Sequence, residues 1–144
     1  MSADSLALVD TNVLVYAVDD GAPQHSAAKA FYDRAVAGDV ALCVSPQILF
    51  EYVSVVTNAK RVMVPSTADE AWADVEAFVA AFQVIVPAPG YLDRVRAIAK
   101  NLRIGGAHVF DLVHAQTALD NGVSEVYTYD QGFPVLPGIV IKTP

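Results

Sequence analysis

Short apolar runs alternate along this chain with longer stretches whose apolar residues recur at helical spacing. That alternation constrains the fold more than any other feature. Residues 6–9 read as a first strand and 12–19 as a short helix. Residues 25–37 carry Ala27, Ala28, Phe31, Tyr32, Ala35 and Val36 at helical spacing. A strand over 40–44 leads into Ser45-Pro46, a helix start with Ser45 as N-cap and Pro46 in the first position, and that helix runs over 47–60. Ser66 or Thr67 caps the next helix, through 82, with Asp69 and Glu70 in its first turn. A strand over 84–86, a helix over 91–102, a Gly105-Gly106 hinge, a helix over 108–119 and strands over 125–129 and 139–141 complete the pattern. Strands separated by helices cannot pair as hairpins, so the order predicts a parallel sheet flanked by helices. The 144 residues fit one domain, 1–144, and show no linker or repeat.

Acidic residues interrupt four of these apolar contexts. Asp10 closes Leu6-Ala7-Leu8-Val9, Glu51 stands between Phe50 and Tyr52, Asp111 lies among Val109, Phe110, Leu112 and Val113, and Asp130 follows Val126-Tyr127-Thr128-Tyr129. Taking an isolated carboxylate out of water costs several kcal/mol or more, so acids in such places need a shared counter-charge. Asp10 and Asp130 fall at predicted carboxyl ends of strands, and Glu51 and Asp111 in the opening turns of helices. In open α/β sheets that rim is where ligands bind. Clustered carboxylates select hard, oxygen-loving cations such as Mg2+ or Mn2+, and a pair of such ions can clamp the attacking and leaving oxygens of a phosphodiester. Thr11, Asn12 and Thr128 flank the acids and are candidates to orient them, with Asn12 also suited to cap a helix. His25, His108 and His114 are spaced irregularly in helical regions. His114, three residues after Asp111, is assigned to packing or hydrogen bonding.

Composition narrows the remaining classes. A hydrophobic fraction of 54% excludes disorder. One cysteine, Cys43, excludes an internal disulfide and a cysteine-based zinc site; it reads as a core residue and fits a reducing cytoplasm. Residues 1–4 lack a basic region ahead of the apolar run, so no signal peptide is expected. The longest greasy stretch, 40–56, is broken by Pro46 and Glu51 and is not expected to span a membrane. A net charge of −7 argues against a generic nucleic-acid binder, but not against an enzyme whose acids are neutralised by bound cations.

Four segments together resemble the PIN domain, in the form of the VapC-type ribonuclease toxins of bacterial toxin–antitoxin pairs. They are Val9-Asp10-Thr11-Asn12-Val13-Leu14, Ser45-Pro46-Gln47-Ile48-Leu49-Phe50-Glu51, Phe110-Asp111-Leu112-Val113-His114-Ala115 and Thr128-Tyr129-Asp130-Gln131-Gly132-Phe133. They fall in family order over almost the whole chain. Gln116 departs from the small apolar residue many relatives carry there. The resemblance implies a three-layer α/β/α sandwich with a central, mainly parallel sheet. It also implies metal-dependent cleavage of RNA by metal-activated water to a 5′-phosphate and a 3′-hydroxyl. By it, Asp10, Glu51, Asp111 and Asp130 hold Mg2+ or Mn2+ as the catalytic cluster, with Thr11, Asn12 and Thr128 behind them. A homodimer and a small VapB-type antitoxin that blocks the pocket are implied partners. Lys60, Arg61, Arg94, Arg96, Lys100 and Arg103 then form a candidate RNA track. Phe50, Tyr52, Trp72 and Phe78 are expected in the core or a subunit interface.

Competing readings fare less well. A haloacid-dehalogenase-like phosphatase needs a second aspartate two residues after the first, where this chain has Asn12. A receiver domain needs an aspartate after its third strand and a late lysine. A Rossmann cofactor binder lacks its Gly-x-Gly-x-x-Gly turn here. A catalytically inactive PIN fold used for protein binding predicts eroded acids, and none is missing.

Overall fold

The computed structural model describes residues 5–144. It has five strands, β1 (Ala7–Val9), β2 (Leu42–Val44), β3 (Gln83–Val84), β4 (Glu125–Tyr127) and β5 (Val140–Lys142). Six helices connect them: α1 (Thr11–Val18), α2 (His25–Val36), α3 (Pro46–Val56), α4 (Ala68–Ala81), α5 (Tyr91–Leu102) and α6 (His108–Asp120). The strands form one sheet in the order β3-β2-β1-β4-β5, and every pairing is parallel. β1 and β2 are buried on both faces, as a parallel sheet covered by helices on each side requires. Helix α1 packs on α2 and α3, α3 on α4, and α5 on α6. No helix of the described residues is long and apolar enough to cross a membrane.

The chain first winds outward from β1 through β2 to β3 and then returns to the other side of β1 with β4. This reversal opens a crevice at the carboxyl ends of β1 and β4, the place where such sheets accept ligands. Register makes the two ends level, because Val9 pairs with Tyr127. Asp10 and Thr128 are therefore neighbours as soon as the strands pair.

The expected helix starts hold. Ser45 Oγ accepts from the Ile48 N–H with Pro46 in the first turn, and Thr67 and Glu70 form a reciprocal capping box. Several boundaries shift. α3 ends at Val56 rather than residue 60. Thr57 Oγ1 donates to Val53 O at 2.7 Å and Asn58 Oδ1 accepts from the Lys60 N–H at 2.9 Å. These short side chains offer the backbone local alternatives to another helical turn. β4 stops two residues early because the Tyr129 N–H leaves the ladder for Asn12 Oδ1, at 3.0 Å. β3 lies one residue before its expected start and β5 one residue after. At the sheet edge Lys142 Nζ meets Glu125 Oε1 at 2.8 Å, and charge of this kind discourages a further strand.

Cys43 is fully buried, its Sγ 3.5 Å from Ala7 O, and burial pushes its thiol up to about 12. Tyr52 and Phe78 are core residues stacked edge to face at 5.0 Å. Phe50 and Trp72 are not: they are 62% and 44% exposed and pair edge to face at 6.4 Å. Of the two places expected for them, the core is excluded, because they lie on the outward sides of α3 and α4.

Gln116, the departure from the family pattern, is buried and satisfied: its Nε2 donates to Asp120 Oδ1 at 2.8 Å. Asp120 also accepts from the Ala88 N–H at 2.8 Å and from Arg94 Nη2 at 2.9 Å, tying the end of α6 to the loop before α5. Burial alone raises the Asp120 carboxyl, but the bonds from Ala88, Gln116 and Arg94 outweigh it and hold the group below its ordinary value. A depressed folded value means the unfolded chain binds the proton more readily, so the brace stabilises above the unfolded pKa and fades as pH falls through the folded one. Asp120→Ala is expected to cost about 1.5–3 kcal/mol at pH 7, the range for hydrogen bonds to a charged group. The cost should begin to shrink below about pH 4, where the unfolded chain's carboxylate takes up its proton, and vanish once the folded group, held lower, protonates too. Urea unfolding of both proteins across that range is the measurement.

Candidate active site

Asp10 leaves β1 and caps α1. Its Oδ1 accepts from the Thr11 N–H at 2.8 Å, and its own N–H donates to Tyr127 O on β4 at 2.9 Å. From the end of β4, Thr128 Oγ1 donates to Asp10 Oδ2 at 2.8 Å. The same hydroxyl oxygen accepts from Asn12 Nδ2 and from the Asp130 N–H, each at 3.0 Å. Asn12 Nδ2 also lies 3.4 Å from Asp10 Oδ2, and Asn12 Oδ1 takes the Tyr129 N–H. One amide side chain thus stitches the start of α1 to the end of β4.

Glu51 enters from α3. Its Oε2 accepts from Thr11 Oγ1 at 2.9 Å and lies 3.1 Å from His114 Nε2 on α6, while its Oε1 accepts from Gln47 Nε2 at 3.2 Å. Asp111, in the first turn of α6, has Oδ2 2.9 Å from His108 Nδ1. Asp130 Oδ1 accepts from the Gly132 N–H at 2.8 Å. All four acids line one cavity of about 770 Å³, with Arg61 as the basic residue on its wall and Phe50 and Phe110 as exposed rings beside it. Within the cavity the acids fall into two groups, each completed by a histidine. Ligand atoms of Asp10, Glu51 and His114 lie within 4.8 Å of one another, as do those of His108, Asp111 and Asp130.

The electrostatics follow from burial. Asp10 is 6% exposed, and desolvation pushes its carboxyl above the ordinary value despite His114, Thr128 and Thr11. Asp111 is likewise raised, first by burial, with the charges of Asp10 and Asp130 adding to it. Burial also pushes Glu51 up, but the hydrogen bond and charge of His114 prevail and leave it lowered. His114 is 1% exposed, and burial disfavours its charged form. Glu51, Asp10 and Asp111 outweigh that and raise it.

Of the residues expected beside the acids, Thr11 bonds Glu51, Thr128 bonds Asp10 and Asn12 bonds Thr128. Three contacts escaped the sequence reading. Gln47 and His108 stand four and three residues before their acids on the same helices, and that spacing was available. The His114–Glu51 contact joins two helices across 63 residues and was not. The basic residues divide. Arg61 lines the cavity because α3 ends early. Arg94 is committed to Asp120, and Arg96 to Asp93 at 2.7 Å. Lys60, Lys100 and Arg103 are exposed. Asn12→Ala is expected to lower stability by about 1–3 kcal/mol, because it strands the Tyr129 N–H and removes a donor from Thr128. Chemical denaturation checks this.

The family model of the PIN domain matches residues 7–139. A VapC ribonuclease of Mycobacterium bovis is 29% identical over 127 residues, covering 87% of this chain and 86% of that protein. Ribonuclease VapC43 of Mycobacterium tuberculosis aligns equally well, at 29% over 127 residues. Among solved structures, VapBC2 of Rickettsia felis, bound to a DNA fragment from its promoter, superposes with a TM-score of 0.67 at 15% identity, covering 96% of this chain and 98% of that one. VapC20 of Mycobacterium tuberculosis, a sarcin-ricin loop cleaving toxin, gives 0.67 at 15% identity over 88% of this chain and 92% of that one.

Proposed function

Since this chain belongs to the PIN-domain family, we propose that it is a metal-dependent endoribonuclease, the toxin of a type II toxin–antitoxin pair. The observation that carries this reading is the convergence of Asp10, Glu51, Asp111 and Asp130, from four separate chain segments, on one cavity. Relatives named as VapC ribonucleases support it. So does the fit of the donors to a cation. Asp10 is buried with its carboxyl raised and is bonded by neutral groups only, and its neighbours offer further carboxylate oxygens. Oxygen donors of this kind suit Mg2+ or Mn2+.

The four acids would hold the cation. Bound there, it would activate water and stabilise charge developing on the phosphate. The chain's own residues supply the rest. Thr128 and Asn12 fix the Asp10 carboxylate, and Thr11, Gln47 and His114 fix that of Glu51, so neither reorganises as charge develops. Arg61 faces the cavity as a donor for a phosphodiester oxygen. No side-chain nucleophile is required. The partners that go with this reading are an RNA substrate, a second copy of the chain in a homodimer, and a small VapB-type antitoxin. The antitoxin's basic side chain would compete with the cation for the carboxylates.

An inactive PIN module for protein binding is the second reading. It is disfavoured because every acid is present and oriented. Purified protein with Mn2+ should cleave RNA to 5′-phosphate and 3′-hydroxyl ends and stop on chelation; intact RNA at millimolar Mn2+ would overturn the nuclease. Asp10→Asn should reduce cleavage to background and change stability by no more than about 1 kcal/mol. It relieves a desolvated charge but disturbs the bond from Thr128.

Mg2+ or Mn2+ should raise the thermal midpoint. A ligand at a hundredfold excess over its Kd stabilises by about 2.7 kcal/mol. Asp111→Asn and Asp130→Asn should each shrink the shift, and an unchanged wild-type midpoint would count against a preformed cation site.

A further inference from the structure

The cavity that holds the acids is walled in part by aromatic rings. Phe50 on α3 and Phe110 on α6 each stand one residue before a cavity acid, Glu51 and Asp111, and both are more than half exposed. The two rings differ in what they touch. Phe50 meets Trp72 edge to face at 6.4 Å. Phe110 has no aromatic partner among the described residues. Backbone geometry puts its Cα about 3.8 Å from that of Asp111. It also stands three residues after Ala107, which lines the same cavity, so the two share the side of the helix that opens inward.

We infer that Phe110 is a substrate-binding residue, a platform on which an unpaired RNA base stacks beside the scissile phosphate. The inference rests on the reading of the cavity as a ribonuclease site. Phosphate contacts are scarce there. Arg61 is the one lysine or arginine among the described residues lining the cavity, and the acids need a cation before they tolerate a polyanion. Affinity for the rest of a nucleotide must come from surface that needs no charge. An exposed ring is such a surface, since every base has a face to lay on it. Taking ring and base out of water together is favourable for the same reason that the ring is costly where it stands. A base inside an A-form duplex has both faces covered by its neighbours, so the platform serves loops and single strands. Phe50 contributes less, because Trp72 already meets it.

The test compares the wild type with Phe110→Leu, which keeps apolar bulk and loses the aromatic face, and with Phe110→Tyr, which keeps the face. The probes are a short single-stranded RNA of mixed sequence with its cleavage site mapped, the same RNA lacking the base on one or the other side of that site, and the RNA annealed to its complement. Binding is read by fluorescence anisotropy with Mn2+ present, all three proteins carrying Asp10→Asn to block cleavage; kinetics are read without that change. Phe110→Leu should bind the single strand about 5- to 150-fold more weakly, the stacking worth of one base expressed as a ratio of dissociation constants. Its KM should rise while kcat holds, because stacking is made equally before and at the transition state. Phe110→Tyr should restore both. Removing the stacked base should weaken the wild type by a like factor and leave Phe110→Leu unmoved, a coupling that a merely structural role of the ring does not produce. The duplex should bind the three proteins alike. Equal binding of the single strand by wild type and Phe110→Leu overturns the proposal, as does a loss undiminished on both strands that lack a base. A loss that Phe110→Tyr fails to restore, with a changed oligomeric state in sedimentation, overturns it too and assigns the ring to a protein interface. A wild type that cleaves RNA while Phe110→Leu binds and cleaves equally well refutes this inference and spares the nuclease. RNA binding that depends on the ring, without cleavage by the wild type, does the reverse.

Discussion

The buried carboxylate of Asp10 is the constraint on which the rest of the arrangement depends. It is 6% exposed at the one point where the sheet reverses its winding, and it is held by hydrogen bonds from Thr11 and Thr128 rather than by a basic side chain. Those donors are there because β1 and β4 pair in parallel with Val9 opposite Tyr127. A slip of one residue in that register would turn alternate side chains to the other face of the sheet and take Thr128 away from the acid. Fold and site are therefore not separable layers. The register that packs Leu8 and Val126 into the core also assembles the polar cluster at the strand ends.

Without a cation the cluster is locally unfavourable. Burial raises Asp10 and Asp111, and the neighbouring charges of Glu51 and Asp130 raise them further. His114 offsets part of this by bonding Glu51, and its own preference for the charged form is a response to the acids around it. Unfavourable clustering of like charge persists in a native protein when the surrounding structure holds it in place for a function. Here the holding is visible in Asn12, whose single amide bonds to Thr128 and receives the Tyr129 N–H.

Much of this was legible in the residues. The alternation of apolar runs gave a parallel sheet between helices, and the positions of Asp10, Glu51, Asp111 and Asp130 at element ends gave the rim they share. Helix starts were readable because Ser45-Pro46 and Thr67 with Glu70 carry their own chemistry. Ends were less so. α3 stops at Val56 because Thr57 and Asn58 capture backbone groups, an outcome decided by small competing hydrogen bonds rather than by periodicity. β4 stops because Asn12, more than a hundred residues earlier, takes the Tyr129 N–H. Contacts of that range have no local signal. The same is true of His114 reaching Glu51, and of the outward placement of Phe50, whose neighbour Tyr52 is fully buried.

The acidic balance of the chain bears on how it meets a polyanion. Of nine lysines and arginines, Lys29, Arg94, Arg96 and Lys142 are in ion pairs within the described residues. Of the other five, Arg61 alone lines the cavity with the acids. Phosphate contacts made through so few cations release few counterions, so attraction to RNA along this surface would depend only weakly on salt and contribute little affinity. The acids themselves repel phosphate until a cation neutralises them. Metal binding then does more than supply chemistry: it reverses the sign of the local field, and substrate attraction and catalysis become conditional on the same event. Under this reading a basic side chain from an inhibitory partner would be effective in the pocket for the same reason a cation is. Both answer the uncompensated charge that the register of β1 and β4 fixes in place.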